Sequence, residues 1–234
     1  MIRTKGLNIG YHSPLLKIED LTLENGDLFF LIGRNGSGKS TFLKTILGQI
    51  SPISGSVFLD DKIIDSMPIS ELPKHISFVS AHFPNVDFLR VEEFIALGRS
   101  PYSNYFGKLS EKDMQIIDNS LEVLKISYLK GRFTSELSDG EKQMVAIAKS
   151  IAQETSIILL DEPTAFLDYA NKQLVISALS KVSTEMNKCI ILSTHDIDLS
   201  IENKGNYLIV DNVKKTLTNH SNLSKDEILA IAFQ

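Results

Sequence analysis

Residues 33–41 read GRNGSGKST and directly follow the apolar run DLFFLI at residues 27–32. Gly33, Gly36 and Gly38 let successive backbone N–H groups turn inward around an anion. The spacing fits G-x-x-x-x-G-K-[ST], the phosphate-binding loop, which must lie between a buried strand and a helix N-terminus. Both neighbours are legible: DLFFLI reads as a buried strand, and a helix is expected from Lys39 to about Leu47. Its N-terminus adds a partial positive charge. The loop Gly33, Arg34, Asn35, Gly36, Ser37, Gly38 is therefore expected to cradle phosphates. Lys39 reaches the β- and γ-phosphates, and Ser40, with Thr41 beside it, ligates Mg²⁺.

Outward from this loop, two more short apolar runs, SIILL at 156–160 and CIILS at 189–193, read as central parallel strands. Each ends in polar residues: Asp161 and Glu162 after the first, His195 after the second. In an open parallel sheet, ligands bind at the carboxyl ends of the strands, so Gly33, Asp161 and His195 define one expected site. Asp161 is the expected Mg²⁺ partner of a phosphate-loop enzyme. Glu162 is surplus for the metal and suited to orient and deprotonate a water. His195 is expected to touch the γ-phosphate.

The rest completes an α/β pattern. LLKIEDLTLE at 15–24 reads as one half-exposed strand; GSVFLD at 55–60 and ISFVS at 76–80 read as further strands. From Val91 the period changes: VEEFIALG, SEKDMQIIDNSLEVLK and DGEKQMVAIAKSIAQE all read as helices. A helix at 171–186, a hairpin near Asp211 and a short helix from Lys225 close the chain. An α/β nucleus is thus interrupted by a helical block over residues 90–150. The 234 residues are expected to form one domain, and a net charge of −5 argues against a nucleic-acid partner. No apolar run suits a signal peptide or a membrane span. The single cysteine, Cys189, lies in an apolar run and reads as a core residue.

A second serine–glycine pair, in LSDGE at 137–141, stands at the mouth of a long helical run, another arrangement suited to an anion. With GRNGSGKST, LSDGEKQ, IILLDEP, AFLD and STHD in this order, nearly the whole chain resembles the ATP-binding subunits of ABC transporters. The resemblance implies a P-loop NTPase core with a parallel sheet, an N-terminal antiparallel β part and an inserted helical subdomain. It implies ATP and Mg²⁺ as ligands, and two copies packed head to tail. Ser138 and Gly140 of one copy would complete the phosphate site of the other, with Asp168 in the loop linking the two sites. Tyr11 matches the aromatic that stacks on adenine from an N-terminal strand.

Asp139 and Glu141 depart from the family's commonest signature, LSGGQ, and an acid facing phosphate is expected to weaken dimer closure unless it points away. Ala81 stands where the family has a glutamine that contacts Mg²⁺ and the attacking water. Water is expected to complete that shell, with His82 as the side-chain alternative. FIALGRSPY at 94–102 looks like a stretch of importers for iron-siderophores, haem and cobalamin. The implied partners are integral-membrane permeases and, indirectly, a substrate-binding protein. The implied location is peripheral, on the cytoplasmic face of the cell membrane. Two rival readings are a soluble ABC ATPase serving an assembly machine and an ATP-binding scaffold with little turnover.

Overall fold

The computed structural model describes residues 1–84, 86, 88–103, 108–203 and 205–233. The N-terminal third is mostly strands: β1 (Ile2–Gly10), β2 (Pro14–Ile18), β3 (Thr22–Leu23), β4 (Leu28–Ile32), then helix α1 (Lys39–Ile46), β5 (Ser54–Leu59) and β6 (Lys62–Ile63). A single turn of helix, α2 (Leu72–His75), leads into β7 (Ile76–Val79). Between β7 and β8 (Ile157–Leu160) come α3 (Val91–Ala96), α4 (Glu111–Val123) and α5 (Asp139–Ala152), with 3₁₀ turns between them. The chain ends α6 (Tyr169–Glu185), β9 (Cys189–Thr194), α7 (Ile197–Glu202), β10 (Asn206–Asp211), β11 (Thr216–His220) and α8 (Lys225–Ala232).

One sheet runs β6-β5-β1-β2-β11-β10-β4-β9-β8-β7, with β3 paired to β1. Strands β10, β4, β9, β8 and β7 are mutually parallel, whereas β1 pairs antiparallel with β2, β3 and β5. The parallel strands are buried on both faces, and their alternation sorts the core into two halves. Phe30, Ile32, Ile158, Leu160, Ile190 and Leu192 face helices α3–α6, while Phe29, Leu31, Ile157, Leu159 and Ile191 face α1. Cys189 lies on the α1 side, where burial pushes its thiol up to about 12.

Local corrections to the sequence expectations have clear causes. LLKIEDLTLE is two strands, β2 and β3, because the chain turns a corner at residues 19–21. The Thr4 hydroxyl donates to Glu19 O at 2.8 Å and accepts from Leu21 N at 2.9 Å, satisfying the backbone at that corner. The N-terminus forms a nine-residue strand, and Tyr11 lies just past its end. VEEFIALG is helical only to Ala96; Leu97–Tyr102 tightens into a 3₁₀ turn with Pro101 inside it. Proline supplies no N–H and biases the preceding residue away from the α conformation.

That turn explains GRSPY physically. A Cβ on Gly98 would lie 2.6 Å from Lys149 O, so only glycine lets the turn approach α5 so closely. Arg99 is 5% exposed. Its guanidinium donates to Asp113 at 2.8 Å, Ala152 O at 2.8 Å and Glu154 at 2.9 Å, with the Tyr102 ring 4.6 Å away. Hydrogen bonds from the Ser110 hydroxyl and N–H, then from Arg99, hold the Asp113 carboxyl down at about 2. One buried cation thus ties α4 to the end of α5. Arg99→Ala should lower folding stability by about 2–3 kcal/mol in urea denaturation at pH 7, because it leaves a carboxylate and a carbonyl short of a donor. In the wild-type chain the Asp113 contribution should be present above its ordinary value of 3.8 and disappear as pH falls toward 2.

Candidate functional site

The phosphate loop follows β4 and runs directly into α1. Gly38, at φ 104°, is the N-cap of α1, a left-handed conformation that a β-carbon disfavours. Gly36, also at positive φ, has open space around it. Tyr11, Asn35, Gly36, Gly38, Lys39, Ser40, Thr41 and Glu162, together with Leu15, line one cavity of about 520 Å³. Lys39 is 5% exposed, and its ammonium donates to Gly33 O at 2.9 Å and Arg34 O at 3.2 Å. Burial lowers its pKa, against the raising influence of Glu162 and then Asp161. Among the described residues the buried Ser37 hydroxyl has no hydrogen-bond partner.

The sheet register builds the opposite wall. Ile32 aligns with Thr194, and Leu160 aligns with Leu192. Gly33 therefore lies beside His195, and Asp161 beside Ser193. Glu162 Oε1 is 3.9 Å from the Lys39 ammonium, and its Oε2 is 3.6 Å from His195 Nδ1. Glu162 has φ 48°, a strained conformation for a residue with a side chain. The fully buried Ser193 hydroxyl donates to Asp161 Oδ1 at 2.7 Å and accepts from Glu162 N at 2.8 Å. Sequence reading assigned Ser193 no role. Its signal was a hydroxyl at the end of an otherwise apolar strand, two positions before His195.

The remaining candidates lie elsewhere on the surface. Ser138 is the exposed N-cap of α5, with Gly140 in the first turn. Ser138 and Glu141 close a capping box: Glu141 Oε2 accepts from Ser138 N and Oγ, both at 2.9 Å. Arg132 donates to Glu141 Oε1 at 3.2 Å. Burial alone would raise the Glu141 pKa, but these donors outweigh it and lower it. This acid is turned back onto its own helix; Asp139 points outward and pairs loosely with Lys142 at 4.0 Å. Asp168 caps α6, accepting from Asn171 N at 2.8 Å. Ala81 follows β7, and His82 faces a second cavity of about 240 Å³ with Phe83, Asp139, Gln143 and Phe166, away from Lys39. Its ring is 6.5 Å from that of Phe166.

Any Mg²⁺ would be held by few protein groups, because no cluster of three or more His, Cys, Asp or Glu suited to a metal occurs among the described residues. The Ser40 hydroxyl and the Asp161 carboxylate fit that ion, which keeps waters and takes one or two carboxylates plus phosphate oxygens.

The lowered Lys39 pKa has a thermodynamic consequence. The folded state sheds this proton more readily than the unfolded chain, so stability should rise as pH climbs from the folded value toward 10.5. Lys39→Met should lack that rise in alkaline thermal melts. At pH 7 the relief of removing a buried charge is opposed by the loss of a donor to Gly33 O and Arg34 O, so the alkaline slope is the readout.

The match to known proteins agrees with this geometry. The family model for ABC transporters matches residues 16–165. An uncharacterized ABC transporter ATP-binding protein of Methanocaldococcus jannaschii is 35% identical over 232 residues, covering 98% of this chain and 80% of that one. An iron(3+)-hydroxamate import ATP-binding protein of Bacillus subtilis is 34% identical, covering 84% and 74% respectively. A molybdate import ATP-binding protein of Haemophilus influenzae is also 34% identical, covering 88% and 79%. A bacterial ABC transporter cassette solved as a dimer superposes with a TM-score of 0.82 at 25% identity, over 96% of this chain and all of that one. The family match and these relatives agree with a phosphate loop, two carboxylates and a histidine at adjacent strand ends: the chain belongs to the ABC transporter family as an ATP-binding, ATP-hydrolysing subunit.

Proposed function

We propose that this ATPase energises an importer of a metal chelate, of the iron-siderophore, haem or cobalamin type. It would work as a head-to-tail homodimer on the cytoplasmic face of two permease subunits, with a substrate-binding protein delivering cargo outside. The similarity to an iron(3+)-hydroxamate import subunit supports this class. The molybdate relative keeps the cargo itself a matter for genetics. No helix among the described residues is long and apolar enough to cross a membrane, consistent with separate permease chains. In this reading the chain is one domain, with its helical block of residues 90–150 carried between β7 and β8.

The observation that carries the chemistry is the cavity shared by Lys39, Ser40 and Glu162. In the free chain the Glu162 carboxylate lies between the Lys39 ammonium and His195. An incoming γ-phosphate offers both groups a more highly charged partner. Glu162 is then released to accept a proton from the attacking water, while Lys39 and His195 hold the phosphate. Ser40 and Asp161 would hold Mg²⁺, which would neutralise phosphate charge. The loop Gly33, Arg34, Asn35, Gly36, Ser37, Gly38 and Thr41 wraps the phosphates with N–H groups, and Tyr11, 65% exposed at the rim, stacks on the base. Ser138 and Gly140 act in the partner's site, reached through the loop that carries Asp168. Ala81 has no side-chain oxygen to offer a metal, so water would complete that shell. A scaffold with little turnover is the second reading, and Ala81 is the observation that favours it.

Glu162→Gln should bind ATP, lose turnover by about 10²–10⁴-fold and accumulate as an ATP-bound dimer in size-exclusion chromatography. Turnover close to wild type would remove Glu162 as the base, and negligible wild-type phosphate release would favour the scaffold. Ser138→Arg should bind ATP as a monomer but abolish hydrolysis. Mixing it with Lys39→Ala should restore part of the activity, because one composite site then carries both defects and the other carries neither. A Ser138→Arg monomer unable to bind ATP would mean that the signature serves its own site.

A further inference from the structure

Among the described residues, Ser193 is the hydroxyl that hydrogen-bonds to both acidic residues at the end of β8. It belongs to β9, which lies between the phosphate-loop strand β4 and the Asp161 strand β8. The register that pairs Leu160 with Leu192 brings Asp161 level with Ser193. Its side chain is 0% exposed and continues the face of Cys189 and Ile191, a face otherwise filled with apolar groups. A buried hydroxyl costs free energy unless its donor and acceptor capacity is used. Here both are used: the O–H donates to Asp161 Oδ1 at 2.7 Å, and the oxygen accepts from Glu162 N at 2.8 Å.

We propose that Ser193 is a positioning residue for ATP hydrolysis, holding the Asp161 carboxylate and the Glu162 backbone in one geometry through a single oxygen. At Asp161 the bond occupies Oδ1, while Oδ2 has no hydrogen-bond partner among the described residues. The side chain is thereby left one free oxygen for a cation. At Glu162 the bond holds the peptide N–H of a residue whose φ is 48°. A left-handed conformation persists in such a residue only when its surroundings impose it. Without the acceptor, the Glu162 backbone is free to relax toward an ordinary φ, and its carboxylate leaves the position between Lys39 and His195. The phosphate loop makes no hydrogen bond to Ser193 among the described residues. Nucleotide affinity and turnover should therefore separate.

This inference rests on Glu162 acting as base and Asp161 as cation partner, so both are tested alongside it. The full-length chain is compared with Ser193→Ala, Ser193→Cys, Ser193→Thr and Glu162→Gln. The measurements are phosphate release, affinity for a fluorescent ADP analogue, thermal melting, and Mn²⁺ binding by electron paramagnetic resonance with ADP present. Ser193→Ala should fold and keep its nucleotide affinity, yet lose turnover and bind Mn²⁺ more weakly by about 10- to 100-fold, the usual effect of removing a group that orients a metal ligand. Ser193→Cys, nearly isosteric but a weak donor and acceptor, should behave like Ser193→Ala. Ser193→Thr keeps the hydroxyl and should recover most turnover. Should its extra methyl prevent folding, the Ala and Cys variants carry the test alone.

A folded Ser193→Ala chain with wild-type turnover and Mn²⁺ affinity would overturn the proposal if Glu162→Gln is inactive in the same assay. A folded Ser193→Thr chain as slow as Ser193→Ala would also overturn it. Glu162→Gln turning over normally would overturn instead the assignment of Glu162 on which the proposal rests.

Discussion

Everything at the reactive end of this molecule depends on the parallel pairing of β4, β9 and β8. Three strands of four to six residues, apolar on both faces, are locked in register by their ladder hydrogen bonds. A shift of one residue in any of them would exchange its two faces, moving Phe30 or Leu160 into the wrong half of the core. The same shift would separate Gly33 from His195, or Asp161 from Ser193. The energetics of burial and the geometry of the site are therefore one constraint. The free energy that holds aliphatic residues in place also fixes where the polar residues emerge.

Charge is then distributed over this rigid edge with little to spare. Lys39 is buried among carbonyls, and Glu162 is held close to it and to His195. Lone burial of the ammonium is unfavourable, as the direction of its pKa shift records. A triphosphate supplies the missing negative charge. The free protein is thus electrostatically prepared for an anion, and the backbone strain at Glu162 is stored where the chemistry happens.

The helical part obeys different rules. It has no ladder to set its register and relies instead on side-chain anchors. Arg99 joins α4 to the end of α5, and the Ser138–Glu141 box with Arg132 closes the start of α5. Both anchors use carboxylates that donors hold below their ordinary pKa, so both persist at neutral pH. Glu141 is an internal cap, so its charge is turned away from an approaching phosphate, whereas Asp139 stays outward and exposed.

Much of this was legible in the sequence. GRNGSGKST names its own chemistry, because few backbones other than a strand–loop–helix can use glycines and lysine at that spacing. The three apolar runs announced a parallel sheet, and the polar residues after them announced its ligand-binding edge. Local patterns were weaker where tertiary contacts override them. The corner at residues 19–21 is satisfied by Thr4, fifteen residues or more away in sequence. The end of α3 is set by Gly98 against Lys149 and by Arg99 reaching Asp113 and Glu154. Ser193 was hidden for the same reason: a serine in an apolar strand carries no sign of its partners until the register places Asp161 and Glu162 beside it. Sequence determined which residues could do chemistry, since residue type and local spacing set donor, acceptor and charge. Only the tertiary structure decided which of them meet, because the hydrogen bonds that join them cross between strands brought together by burial of the core.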